Sequence, residues 1–291
     1  MNYITRFVTS EKHLHHVIKQ YSLKKVTPIL DYAIEHNDDI KHIKEYVKKK
    51  TMLFQKFPLT VHSLKLSSIG LNYGHYEELM FTAQQNGCVC LIDAEDYRIQ
   101  NTIDFQTNMM VMNNKNIVPQ IFKTYQMYRK DSMKQLMEDV EMFKTLGITH
   151  NIKLVRGAYL FGDRKYDIIH DTKEYTDKNY NNAVKMLTTI AYTNPKMNVI
   201  FATHNKTSID MFKHIQKPNM HHAVLMGMEK HFHFNDPKYR MNRMVHIPFG
   251  PIHKTYPYMF RRLLENNPIL DRMVPGMYNK NKTCIITYKN K

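Results

Sequence analysis

Eight short apolar runs recur along this chain, separated by longer segments of helical spacing, and that alternation limits the folds open to it more than any other feature. The runs cover residues 24–33, 59–68, 87–96, 117–126, 150–159, 197–205, 221–228 and 243–250. Their centres are continuously apolar rather than alternating, as in "GCVCLI" (87–92) and "NVIFA" (198–202). Strands of that texture are covered on both faces, which is the condition of a parallel sheet flanked by helices. Residues 133–147, 180–192 and 208–217 carry apolar side chains at helical spacing between runs, and a helical lead-in is expected at about residues 9–20. Eight strand–helix units predict an α/β fold, a (β/α)₈ TIM-type barrel, with an open doubly wound sheet as the rival. No GxGxxG or GxxxxGK follows any run, and the chain holds only 9 glycines, which argues against a nucleotide held by a Gly-rich loop. No Pro/Gly/Ser-rich linker, repeat or low-complexity block divides it, so residues 1–291 read as a single domain.

Charge and composition then narrow the partners. Lys and Arg number 42 against 26 Asp and Glu, a formal charge of +16. The excess is spread thinly, with Lys48, Lys49 and Lys50 as its densest run, which fits a solvated basic surface better than a nucleic-acid groove. Acidic small molecules and peripheral contact with an anionic membrane surface remain as partners, and nucleic acid is disfavoured. Three cysteines make no disulfide framework in a chain this long and match no zinc spacing, which points to a reducing, intracellular compartment. Cys88 and Cys90 read as one face of a buried strand. The 17 histidines include local clusters at 13–16, 220–222 and 230–234, but none follows the HExxH pattern, so they read as packing or surface groups and no metal is expected. No apolar segment is long enough to span a bilayer, and the N-terminal residues carry no clear targeting signal, leaving mitochondrial and cytoplasmic locations both open.

In such a barrel the active site lies at the C-terminal ends of the strands, so the residues closing each run belong together. They are strongly polar: Asp31; Lys65, Ser67 and Ser68; Asp93, Glu95 and Asp96; Tyr125 and Gln126; Lys153, Arg156 and Tyr159; Thr203, His204 and Asn205; His246. A last helical segment, "YPYMFRRLLENN" (256–267), carries adjacent Arg261 and Arg262 with Glu265 one turn on. Alone, that pairing suits a solvated helix face with an i,i+4 ion pair. Beside Lys65, Lys153 and Arg156 it reads as an anion clamp at the barrel mouth, suited to phosphates and a carboxylate.

The strings "LDYAIE", "LKLSSIGL", "IDAEDYR", "TYQMYRKD", "KLVRGAYL", "FATHN", "LMGM", "IPFGP" and "RRLLEN" resemble, in order, the proline dehydrogenase family, closer to its eukaryotic branch, over roughly residues 28–267. The resemblance implies a distorted (β/α)₈ barrel holding FAD across its mouth and oxidising L-proline to 1-pyrroline-5-carboxylate, with electrons passed to a quinone or another acceptor. It makes Arg261, Arg262 and Lys65 holders of the substrate carboxylate, with Glu265 pairing Arg261. It makes Asp93 a polar organiser of the pocket and has Tyr159 line it. Lys153 would approach the flavin ring; Thr203, His204 and Asn205 would touch the cofactor, and Arg156 and Lys173 would meet its pyrophosphate. Gln126, Gly157 and Lys123 complete the expected cofactor-binding set.

Three positions depart from the family pattern. His246 stands where a tyrosine is usual, and a smaller polar residue there could admit a hydroxylated ring, so 4-hydroxyproline is an alternative substrate. Lys123 replaces an amide residue and would put a charge beside the flavin, while Val224 stands where a glutamine is common. Together they also motivate a third reading, a catalytically weak relative kept for binding. The charged mouth argues against it, because such groups are costly to keep partly buried without a ligand.

Overall fold

The computed structural model describes residues 7–34, 39–114, 121–232, 236–251 and 255. A strand falls on each of the eight apolar runs, β7 and β8 beginning one residue before theirs: β1 (Val26–Tyr32), β2 (Val61–Leu64), β3 (Val89–Ile92), β4 (Ile121–Gln126), β5 (Asn151–Val155), β6 (Val199–Ala202), β7 (Met220–Leu225) and β8 (Asn242–Phe249). Each pairs in parallel with its sequence neighbour, and β8 closes on β1 over seven residue pairs from Val26↔Arg243 to Tyr32↔Phe249, making a closed barrel. The open-sheet alternative is thereby excluded.

Helices α1 (Glu11–Leu23), α2 (Ile40–Lys56), α3 (Tyr73–Gln85), α4 (Tyr97–Asn113), α5 (Ser132–Thr145), α6 (Leu160–Asp163), α7 (Lys173–Thr193) and α8 (Lys206–Phe212) fill the positions before and between the strands. Several begin at residues whose short polar side chains accept from the first free backbone N–H groups: Asp39 from Lys41, Asn72 from His75, Asp96 from Arg98, Thr172 from Tyr175 and Asn205 from Ser208. These caps lie in the loops at the C-terminal ends of the strands, so the residues that start the helices also shape the barrel mouth. Helix α1 is the expected lead-in and packs on β1 and β8.

Two apolar layers hold the barrel. Ile29, Val61, Leu91, Phe122, Ile200, Ala223 and Met244 fill its interior, one from each of seven strands. The larger cluster lies between sheet and helices, with Leu30, Leu64, Cys90, Ile92, Tyr125, Leu154, Phe201 and Val245 meeting Phe54, Tyr76, Met110, Phe143, Tyr180 and Phe212. Because side chains alternate across a strand, the residue two beyond each interior apolar group faces the interior again, one layer nearer the mouth. That phase sets which polar residues meet one another.

Candidate active site

The interior phase carries Ile29 to Asp31, Leu91 to Asp93, Phe122 to Thr124 and Gln126, Ile200 to Ala202 and His204, and Met244 to His246. Above the apolar layer these residues open a cavity of about 400 Å³, lined by Lys65, Asp93, Thr124, Gln126, Lys153, Arg156, Gly157, Tyr159, Lys173, Thr203, His204, Asn205 and His246 among others. Twelve of the sixteen site residues expected from sequence therefore share one cavity. Arg261, Arg262 and Glu265 lie outside the described residues.

Lys123 is the correction. It is one residue out of phase with Phe122 and Thr124, so its side chain leaves the barrel toward α4 and α5. There its Nζ donates to Asp139 Oδ2 at 2.6 Å and Asn108 Oδ1 at 3.0 Å, lies 3.3 Å from Asp104 Oδ1, and is 3% exposed. The expectation that it borders a cofactor fails for that reason. Val224 does reach the cavity edge.

A line of alternating charge crosses the cavity floor. His246 Nε2 is 2.9 Å from Asp31 Oδ2, and Asp31 Oδ1 is 3.5 Å from Lys65 Nζ. Lys65 Nζ donates to Asp93 Oδ2 at 2.9 Å, and Lys153 Nζ donates to Asp93 Oδ1 at 2.7 Å. Burial alone would push both carboxyls up, but Lys65 and His246 hold Asp31 below its ordinary range, and Lys153 and Lys65 do the same for Asp93. Both acids therefore stay ionised across the neutral range. In the sequence Asp31 is only a strand end with no evident partner. Its contact with His246 spans 215 residues, and no local pattern announces it.

The far side of the cavity is built around Arg156. Its Nε donates to Asp177 at 2.6 Å, one terminal nitrogen to Thr203 Oγ1 at 2.6 Å, the other to Ser208 Oγ at 2.8 Å, and the guanidinium stacks 4.2 Å over the Tyr180 ring. Among the described residues three of its five N–H groups are used, which fixes the fork and leaves two N–H groups to donate. Lys173 pairs with the same Asp177 at the start of α7. Gln126 ties the two sides together, donating to the Glu95 carbonyl at 2.8 Å and accepting from the Ala158 N–H at 3.2 Å. Gly157 has φ +136°, and a Cβ there would lie 1.4 Å from Tyr128 Cδ1, so only glycine fits between that ring and the cavity. Tyr128 in turn donates to Asp163 Oδ2 at 2.6 Å. Among the described residues, no group of three His, Cys, Asp or Glu side chains is arranged to hold a metal ion.

Comparison with known proteins places the chain. The family model described as proline dehydrogenase matches residues 13–273. Proline dehydrogenase 1, mitochondrial, of Arabidopsis thaliana is 27% identical over 215 residues, covering 68% of this chain and 43% of that protein. The human protein of the same name is 30% identical over 203 residues, covering 65% and 34%. Hydroxyproline dehydrogenase of Xenopus laevis is 28% identical over 204 residues, covering 65% and 44%. The chain thus spans less than half the length of each of these relatives. Among solved structures, proline utilization A from Bdellovibrio bacteriovorus, inactivated by N-propargylglycine, superposes with a TM-score of 0.79 at 19% identity over 91% of this chain and 32% of that one, a likeness of fold. Matched along 13–273 by the family model, with the barrel and cavity described above, the chain belongs to the proline dehydrogenase family.

Proposed function

We propose that this chain is an FAD-dependent dehydrogenase that oxidises L-proline to 1-pyrroline-5-carboxylate and passes the electrons to a quinone or another acceptor. The observation that carries the reading is the division of the cavity. One side holds fixed cations next to carboxylates, and the other holds a preset guanidinium in a cavity that also has an apolar wall.

The residues present fit a flavin dinucleotide. Arg156 and Lys173 would meet its pyrophosphate, as charge-assisted donors suit phosphate oxygens. Thr203, His204 and Asn205 would hold its polar edge, while Ala202, Ala223, Val224, Leu225 and Met228 provide an apolar wall for a flat ring. When bound, FAD would accept the hydride that leaves the substrate. Lys65, together with Arg261 and Arg262, would bind the substrate carboxylate and so fix which ring carbon is presented. Asp93 would hold Lys65 and Lys153 in place, one on each carboxylate oxygen, and Tyr159 would line the pocket.

A second reading, oxidation of 4-hydroxyproline, is favoured by His246, whose ring is smaller than a tyrosine at the same point of the wall. The resemblance to a hydroxyproline dehydrogenase is consistent with it. Peripheral contact with an anionic membrane, where quinones reside, would suit the exposed Lys12, Lys19, Lys41, Lys44 and Lys48 of α1 and α2.

The test is product analysis: FAD-loaded protein with a quinone acceptor should convert L-proline into a cyclic imine two hydrogens lighter. Faster turnover of trans-4-hydroxy-L-proline at matched concentrations would select the second reading. Absence of either product would remove both.

A further inference from the structure

Oxidising a ring amine requires that its nitrogen carry a lone pair. At neutral pH a secondary amine is an ammonium ion, so the cavity needs a base. Asp93 is a poor one, since both its oxygens already accept from lysines. Lys65, Lys153 and Lys173 are proton donors rather than acceptors when charged. His204 Nε2 is occupied by the Leu225 N–H at 3.1 Å.

His246 differs from all of these. It lines the cavity from β8, 9% exposed, and its Nε2 faces the ionised Asp31 of β1. Facing a carboxylate, that nitrogen carries the hydrogen and donates it, which leaves the lone pair on Nδ1. Nδ1 makes no hydrogen bond among the described residues. The charged and titratable groups that act on the ring are Asp31 from β1, which it contacts, and Asp93 beyond β3; Lys65 beyond β2, Lys153 from β5 and His204 beyond β6 line the same cavity, and Tyr46 of α2 interacts with Lys65 and Asp31. The four formal charges cancel in pairs, so an added proton on the imidazole would be met by Asp31.

Building on the reading in the previous subsection, we propose that His246, oriented by Asp31, is the base that deprotonates the substrate's ring ammonium. In this step the N–H bond breaks, its electron pair stays on the ring nitrogen, and the proton goes to His246 Nδ1. Nothing is oxidised. The freed lone pair is then available to form the C=N bond when the hydride departs to the flavin.

The test uses FAD-loaded protein and initial rates of L-proline oxidation with a quinone acceptor between about pH 5.5 and pH 10. The wild type should lose kcat as pH falls, because a protonated His246 cannot take the ammonium proton. His246→Asn should lower kcat at pH 7 by about 10²-fold or more. It should also lack the acid limb and recover toward the wild type as pH approaches about 10, where an alkyl amine sheds its own proton. Asp31→Asn, which leaves the ring but removes the carboxylate that fixes its tautomer, should fall between them. Cyclopentanecarboxylate has the ring and carboxylate but no proton to give, and its binding, read from the flavin absorbance, should stay within about threefold of the wild type in His246→Asn, since base catalysis contributes only to turnover. An Asn variant that keeps both the acid limb and the wild-type kcat would overturn the proposal. So would one that loses cyclopentanecarboxylate binding as much as it loses turnover. A wild type that oxidises L-proline at no pH would instead overturn the functional reading, and this inference with it.

Discussion

Asp93 lies between Lys65 and Lys153 with one carboxylate oxygen committed to each, at 2.9 and 2.7 Å, and so holds two strand ends of the barrel mouth in register. Removing it would leave two ammonium groups facing each other over the cavity. Asp93→Asn should destabilise the fold by about 3 kcal/mol near neutral pH, as expected when one partner of a buried pair is lost. The sign with pH follows from its lowered carboxyl. Its contribution is present above the unfolded value of about 4 and is lost as pH falls toward the lower folded value. Urea denaturation of both proteins should therefore show a stability gap that is wide at pH 7 and narrows below about pH 4. A gap independent of pH would contradict the ion-pair account.

Lys50 presents the opposite case. It is fully buried under β2, its Nζ donates only to the Ser63 carbonyl at 2.8 Å in the described contacts, and burial pulls its pKa down to about 8. The unfolded chain binds this proton more tightly than the folded one, so stability at this site rises with pH between about 8 and 10.5. Lys50→Met should stabilise the protein at pH 7, by up to about 3 kcal/mol less the lost hydrogen bond, and the advantage should fade as pH approaches 10. Urea melts at pH 7 and pH 9.5 check this.

How far the sequence led can be judged from neighbouring positions. The eight strands were legible because a parallel barrel buries both faces of each, leaving unbroken apolar runs that turns and polar strand ends delimit. The expectation for Lys123 comes from the family resemblance, which compares positions along the chain and does not follow the two-residue phase of the strand. Phe122, Thr124 and Gln126 already hold the interior phase, and Lys123 falls between them. Helix α7 begins at Lys173, earlier than the apolar spacing at 180–192 suggests, because its first two turns are polar and rest on the Thr172 cap. The Asp31–His246 contact could not be read at all, since it depends on β8 returning to β1 to close the barrel.

Lys123→Met separates the two readings of that residue. Outside the barrel, its loss leaves Asp139 and Asp104 without their cation, and stability should drop by about 3 kcal/mol. The flavin absorbance and reduction potential should stay as in the wild type. A shifted potential with unchanged stability would return Lys123 to the cofactor.

Gly157→Ala should be the most disruptive single-methyl change at the site. The added Cβ meets the Tyr128 ring, and φ +136° is strained for any residue with a side chain. We expect a loss of several kcal/mol with weakened FAD retention, measured by thermal melting and by the flavin-to-protein absorbance ratio. Gly157→Ala combined with Tyr128→Ala should recover only part of it, because the backbone strain remains.

The most direct measurement is the visible spectrum of FAD-loaded protein before and after anaerobic addition of L-proline. The account predicts that the flavin band bleaches as the substrate's hydride is transferred. A bound flavin whose band is changed by neither L-proline nor trans-4-hydroxy-L-proline would contradict it.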